Sequence, residues 1–398
     1  MASDTNPANG KTAGSRALLP QGLGDILPPD AAREAAAVEA LLGSFHTYGY
    51  ERVKPPLVEF EDGLLEGAGE AMATQTFRIM DPLSHRMMAV RPDFTLQVAR
   101  IATSRLAGVP RPLRLSYAGE VLRVRGSQMR PNRGFAQVGV ELIGAARTAA
   151  QVSADVEVVT LAAEALLGLG IKHLSVDLNL PTLVPVLLDE KAVDHGVRPR
   201  LRAALNRKDL EAVGRILSGD RETARLVQGL VAAMGPADAS IAALGALDLP
   251  PNTRADCDRL VEGAQRLLEA GHDFALTIDP VEHRGFEYHT GVSFSIFAQG
   301  ITGDLGRGGR YEVPGPSAEP ATGFTLFMDT VMTAVPRSEE TSRLYLPFPE
   351  GVALGRRLRE EGWITVSGLG PVADPREEAR RLGCAHVVID GRVLAAEG

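Results

Sequence analysis

The sequence predicts an α+β fold, a largely antiparallel sheet flanked by helices, rather than a doubly wound parallel sheet. Two strand-like runs, Leu113 to Val124 and Gly134 to Ile143, are joined by the basic loop Arg125 to Arg133. A second strand group, Phe274 to Asp279, Phe286 to Phe297 and Ala321 to Phe327, follows a long helical stretch. No internal repeat is present. Long antiparallel runs flanked by helices are the mark of α+β architecture.

The elements follow in order. Asp30 to Tyr48, rich in Ala and Leu at helical spacing, comes after the breaker run Leu27-Pro28-Pro29 and predicts a helix. Tyr50 to Phe60 is strand-like but interrupted by Pro55-Pro56, which suits a sheet edge or an interface. Met87 to Val90 predicts a strand, and Leu96 to Ala107 a helix. Ala149 to Leu167 predicts another helix, stopped by Gly168 and Gly170. From about 180 to 270 the pattern is mostly helical, with a break near Gly235 to Ala239. The tail from about Arg343 alternates short strands and helices, Trp363 to Val366 and Ala385 to Ile389 among them.

Composition narrows the function classes. The 398 residues, 44% hydrophobic and 23% charged, are ordinary for a globular chain of two or three domains. No apolar run approaches the roughly 18 residues of a membrane span. Met1 to Ser15 is polar and lacks an apolar stretch, so residues 1–17 are expected to be a disordered tail and not a secretory signal. Cys257 and Cys384 stand far apart, which gives no zinc site, no metal centre and no disulfide framework, and fits a reducing cytoplasm. A net charge of −8 argues against a dominant nucleic-acid surface, although a local basic patch is compatible with it.

Two strands carry a polar face. Side chains alternate along a strand, so Ala136, Val138, Val140 and Leu142 pack on the core while Gln137, Gly139 and Glu141 share the other side. Glycine between two polar residues opens a gap where a ligand can lie against the backbone; a solvent-facing strand would read the same way. In Phe286 to Phe297, the positions Phe286, Tyr288, Thr290, Val292, Phe294 and Ile296 form a mainly apolar face, and His289, Gly291 and Ser293 the other. Arg123 shares a face with Tyr117, Gly119 and Val121, either as a surface residue or as a fork for a carboxylate or phosphate.

The segments Tyr48-Gly49-Tyr50 with Pro55-Pro56, Arg91-Pro92-Asp93-Phe94-Thr95, Arg123 with Gln137-Val138-Gly139-Val140-Glu141, Arg284-Gly285-Phe286-Glu287-Tyr288-His289-Thr290-Gly291, and Gly308-Gly309-Arg310-Tyr311 together resemble histidyl-tRNA synthetase, in the family's order. The resemblance covers about 18 to 335. It implies a class II aminoacyl-tRNA synthetase-like antiparallel sheet flanked by helices, normally dimeric, with a helical insertion at about 180–270. Residues 342–398 are too short for the family's full anticodon-binding domain. Val387-Val388-Ile389-Asp390-Gly391 looks like the end of one, so a reduced C-terminal α/β remnant is expected.

By that resemblance, a histidine ammonium would meet Asp93, Thr95 and Gln137. The imidazole would meet Glu141, with His289 where the synthetases usually have a tyrosine and Tyr288 alongside. The carboxylate would meet Arg284, helped by Arg123. The chemistry is coherent: carboxylate and amide oxygens satisfy an ammonium, an acid accepts from an imidazole N–H, and guanidinium pairs with carboxylate. Plainer roles also exist, since Asp93 or Thr95 can cap the following helix and His289 can be a satisfied core histidine.

The activation machinery departs from the synthetase pattern. Arg125 stands where a glutamate would hold the adenine amino group, and a guanidinium cannot accept from it. Pro131 stands where an arginine would grip the ATP phosphates, with Arg130 next door. The run Thr322-Gly323-Phe324-Thr325-Leu326-Phe327-Met328-Asp329-Thr330 ends in Thr330 where class II enzymes carry an ATP-binding arginine. Retained Arg284 is the feature that favours catalysis. On balance the chain resembles the regulatory subunits of ATP phosphoribosyltransferase, at the first step of histidine biosynthesis. The resemblance implies no catalysis or cofactor of its own, histidine as effector, and a separate short catalytic subunit as partner. It further implies a homodimer within a larger hetero-oligomer, with no tRNA and no membrane. The competing readings are a working histidyl-tRNA synthetase and a stand-alone histidine sensor.

Overall fold

A computed structural model of the protein describes residues 18–65, 70–127, 129–145, 150–282, 289–313, 318–337, 343–350 and 352–397. The expected tail 1–17 lies outside them. The chain divides into two compact units, Met1–Pro336 and Arg337–Gly398.

The first unit is built on strands β1 (Glu51–Arg52), β2 (Val58–Phe60), β3 (Phe77–Met80), β4 (Met87–Val90), β5 (Leu113–Leu122), β6 (Gly134–Ile143) and β7 (Leu174–Asn179). It continues with β8 (Gly235–Pro236), β9 (Phe274–Asp279), β10 (Ser293–Ala298), β11 (Gly306–Glu312) and β12 (Pro320–Phe327). Nine of them form one sheet in the order β1-β5-β6-β12-β11-β10-β7-β9-β8, and β2-β4-β3 form a small second sheet. Pairing from β5 through to β7 is antiparallel; β1 joins β5, and β9 joins β7, in parallel. The fold is α+β, as the alternating patterns predicted.

One face of the large sheet is apolar because every second residue is. Val138, Val140 and Leu142 of β6 meet Phe324 and Leu326 of β12, Phe294 and Ile296 of β10, and Val176 and Leu178 of β7 in one core cluster. The helix Asp30–Thr47 closes over it with Leu41 and Phe45, and the helix Ala150–Gly168 with Val158, Leu161 and Leu166. Each such side chain contributes about 1.5–3 kcal/mol when fully buried. Six helices between Leu183 and Glu269 extend the same core. Asp209 and Asp220 start two of them by accepting from the backbone N–H of Ala212 and Thr223.

The predicted strand Phe286 to Phe297 needs correction. Only Ser293–Ala298 is strand; the stretch from His289 to Val292 is irregular, and 283–288 lie outside the described residues. Gly291 explains the late start, since a Cβ there would fall 2.9 Å from Arg310 Cδ, and the chain instead runs close against that side chain. Strands β3, β7 and β11 were not anticipated, nor was the two-residue β8 at the expected break.

The second unit carries β13 (Arg343–Leu346), β14 (Ile364–Ser367), β15 (His386–Ile389) and β16 (Arg392–Ala395) in the order β14-β13-β15-β16. Two helices, Val352–Glu360 and Pro375–Arg381, accompany them. Among the described residues, no helix is long and apolar enough to cross a membrane.

Candidate functional site

The second face of the large sheet is where the polar positions emerge. Register sets Glu141 opposite Gly323, Gly323 opposite Gly309, Gly309 opposite Ser293, and Ser293 opposite Asn179. Directly opposed residues share a face, so the row reads acid, glycine, glycine, serine, asparagine. The adjacent row pairs Tyr117 with Gly139 and Gly139 with Thr325. The glycines make a floor over which polar side chains lie flat. A Cβ on Gly323 would sit 2.0 Å from Glu141 Oε2 and 2.4 Å from Val140 O. A Cβ on Gly139 would sit 2.5 Å from the Tyr117 hydroxyl. This face is not solvent-facing: Gln137 is 0% and Glu141 2% exposed.

Asp93 and Thr95 arrive on the turn before the helix Thr95–Thr103. Arg91 fixes that turn by donating to Pro55 O at 3.1 Å and Glu120 O at 2.7 Å, with its guanidinium 3.9 Å over the Phe94 ring. Asp93 serves two purposes at once. Its Oδ1 accepts from the Thr95 backbone N–H at 3.0 Å, while Oδ2 accepts from the Gln137 amide at 3.0 Å. Arg123 Nη2 lies 3.8 Å from the same oxygen, and its Nε donates to Pro92 O at 3.2 Å. With its amide turned to Asp93, Gln137 leaves Oε1 buried without a hydrogen-bond partner, and Ser293 Oγ along the row is in the same condition. Buried acceptors left this way cost about 1–3 kcal/mol each, which a donor-bearing ligand would recover.

Glu141 is the electrostatic centre of the row. Burial pushes its carboxyl up to about 8; the Tyr311 and Thr95 hydroxyls act to lower it, and Asp93 raises it. Tyr311 donates to Glu141 Oε2 at 2.9 Å. Tyr311 is a site residue that the sequence reading did not assign, although Gly308-Gly309-Arg310-Tyr311 had been singled out as a motif. His289 is buried at 5% exposure, and its ring lies against Gly309, where a Cβ would fall 2.5 Å from His289 Cδ2. The structure thus gathers Asp93, Thr95, Arg123, Gln137, Glu141 and His289 along one sheet face. Arg284 and Tyr288 lie outside the described residues.

Comparison with known proteins places this arrangement. The family model described as histidyl-tRNA synthetase matches residues 22–331. A protein of Rhodospirillum centenum named ATP phosphoribosyltransferase regulatory subunit is 54% identical over 381 residues, covering 95% of this chain and 96% of its own. One of the same name from Paramagnetospirillum magneticum is 52% identical, covering 94% and 96%. The chain belongs to the ATP phosphoribosyltransferase regulatory subunit family. Among solved structures, a regulatory subunit/histidyl-tRNA synthetase from Bacillus halodurans C superposes with a TM-score of 0.78 at 24% identity, over 93% of this chain and 97% of that one, which speaks for the fold. A histidine–tRNA ligase subunit from Alicyclobacillus acidocaldarius gives 0.63 at 28% identity, over 81% and 98%.

Against that family background, the positions facing a nucleotide in the synthetases are instructive. Arg125 is exposed, and its backbone N–H donates to Gln75 Oε1 at 3.2 Å. Arg130, next to Pro131, is buried and points inward. Its Nε donates to Asp329 Oδ1 at 3.2 Å, and its Nη2 to Asp304 O at 3.2 Å and to Thr330 Oγ1 at 3.4 Å. It also stacks 3.7 Å above Phe327. Arg130 is thus neutralised by two internal carboxylates, Asp304 and Asp329.

Proposed function

We propose that this chain is a histidine-binding regulatory subunit that activates a separate short ATP phosphoribosyltransferase catalytic subunit and performs no catalysis of its own. The observation that carries the reading is the polar row itself: a buried Glu141 at one end and the Asp93–Gln137 pair beside it, over a glycine floor. Glu141 suits the imidazole, because its carboxyl can donate or accept as the ligand's ring nitrogens require. Gln137 Oε1 and Asp93 suit the ammonium. Arg284 and Arg123 are assigned to the carboxylate.

Feedback requires histidine to favour one state of the assembly, since equal affinity for two states shifts nothing. Coupling of about 1–3 kcal/mol is typical, so inhibition is graded. Catalytic silence as a synthetase rests on Arg125, Pro131 and Thr330, and on the internal engagement of Arg130.

The test is co-purification with the short catalytic subunit and native mass measurement, with and without histidine. The Glu141→Gln complex should assemble and turn over but need roughly tenfold or more histidine for inhibition, since a buried group left with a mismatched hydrogen-bond partner costs about 1–3 kcal/mol. A variant as sensitive as the parent would move the controlling site elsewhere. Failure of any catalytic subunit to bind would favour a stand-alone sensor.

A further inference from the structure

The opposite face of the same sheet holds a second polar site. Arg310 pairs with Thr322 and Thr322 with Leu142, the row whose side chains leave by the face away from Glu141. There a cavity of about 180 Å³ lies among the helix Ala150–Gly168, the helix Pro251–Glu269, strand β11 and the segment Thr290–Val292. It has space for several water molecules.

Its chemistry is built around one buried guanidinium. The Arg310 side chain is 7% exposed, and Nη2 donates to Asp155 Oδ1 and to Gln151 O, both at 2.7 Å. Its Nη1 is buried with no hydrogen-bond partner. A guanidinium has five donors and no way to shed its charge, so an idle buried N–H calls for an acceptor. The cavity also touches the first turn of the Ala150–Gly168 helix at Gln151 and Val152, where backbone N–H groups lack intrahelical partners. Arg259 on the outer wall is paired with Asp256, and its remaining N–H groups add further donors. Of the acids lining the cavity, Asp155 is paired with Arg310 and Asp256 with Arg259, and Glu312 adds a further negative charge. A lone anion is therefore opposed by the wall facing Arg310, whereas a molecule carrying both signs satisfies both.

We propose that this cavity is a binding site for a small zwitterion of amino-acid size. Its carboxylate would lie on Arg310 Nη1 and the remaining N–H groups of Arg259, and its ammonium toward Glu312. The site is separate from the one at Glu141, yet linked to it through a short piece of chain. Thr290 N donates to Arg310 O and Arg310 N to Val292 O, both at 2.9 Å, so Thr290–Val292 is a wall of the cavity. His289, at the head of that wall, lies on the other face.

The experiment uses the full chain, and a cavity-filling variant distinguishes binding here from binding at the row of Glu141. Calorimetric titration with glycine, alanine, serine, threonine and proline is set against acetate and methylamine, which carry one charge each. At least one amino acid should bind saturably, about tenfold or more tighter than either fragment. Thr182→Trp, which fills the cavity from a residue that makes no helix-capping bond, should weaken that binding by about tenfold or more. Should the tryptophan variant melt early, Arg259→Ala on the half-exposed wall is judged by the same criterion. Saturable binding by none of the five, equal binding of acetate, or affinity untouched in the variant would each overturn the proposal. None of those outcomes bears on histidine at Glu141, which titration with histidine reports separately.

Discussion

Replacing Glu141 by glutamine should change the pH dependence of folding stability in a direction opposite to that of an ordinary salt-bridged acid. The carboxyl is raised from 4.5 to about 8, chiefly by burial. The native state therefore holds its proton more tightly than the unfolded chain. Between those two values the native state keeps the proton and the unfolded state has lost it, so stability falls as pH rises. The contribution is fully present below 4.5 and is lost as pH climbs through 8. The whole displacement corresponds to about 5 kcal/mol, and the part between pH 6 and pH 8.5 to about 2.5 kcal/mol. Glutamine keeps the shape and an acceptor for the Tyr311 hydroxyl but cannot ionise. Urea unfolding of parent and variant at both pH values gives the difference, in which the titrations of all other groups cancel. The parent should lose about 2.5 kcal/mol more than the variant on going to pH 8.5. Equal losses would mean that Glu141 titrates like a surface acid, and the burial argument for the pocket would fall with it.

Three further outcomes follow from the same geometry. Histidine-dependent exchange of pyrophosphate into ATP should stay at background, because Arg130 is held by Asp304 and Asp329 and Thr330 offers no charge; robust exchange by contaminant-free protein would revive the synthetase. Tyr311→Phe removes the 2.9 Å bond to Glu141 and should weaken histidine binding by about 1–2 kcal/mol in calorimetry, with a near-native melting curve. Gly323→Ala forces a Cβ to within 2.0 Å of Glu141 Oε2 and 2.4 Å of Val140 O; it should cost about 1–3 kcal/mol in chemical denaturation and abolish measurable histidine binding.

Local pattern made much of this protein legible. Alternation from Phe135 to Ile143 identified β6 and told which side chains share a face, because the period of a strand is two whatever it pairs with. The helices Asp30–Thr47 and Ala150–Gly168 were readable from their apolar spacing. Acceptors suited to an ammonium and an imidazole were readable from residue type, and their order along the chain carried the family resemblance. Strand β11 was hidden because Gly306, Gly308 and Gly309 leave no side chains from which to read a period. The irregular path before Ser293 was hidden because Arg310, not the local sequence, sets it.

What the chain could not announce was which polar face is buried. That depended on β6 finding β12 and β11, far along the sequence, so that Glu141 is roofed against solvent and meets the Tyr311 hydroxyl 170 residues away. Arg130 turned inward for the same reason: its partners Asp304 and Asp329 lie 174 and 199 residues on. Residue type sets which bonds a side chain can make; long-range pairing sets the dielectric and the neighbours, and so whether an acid is a surface charge or a protonated group at the centre of a pocket.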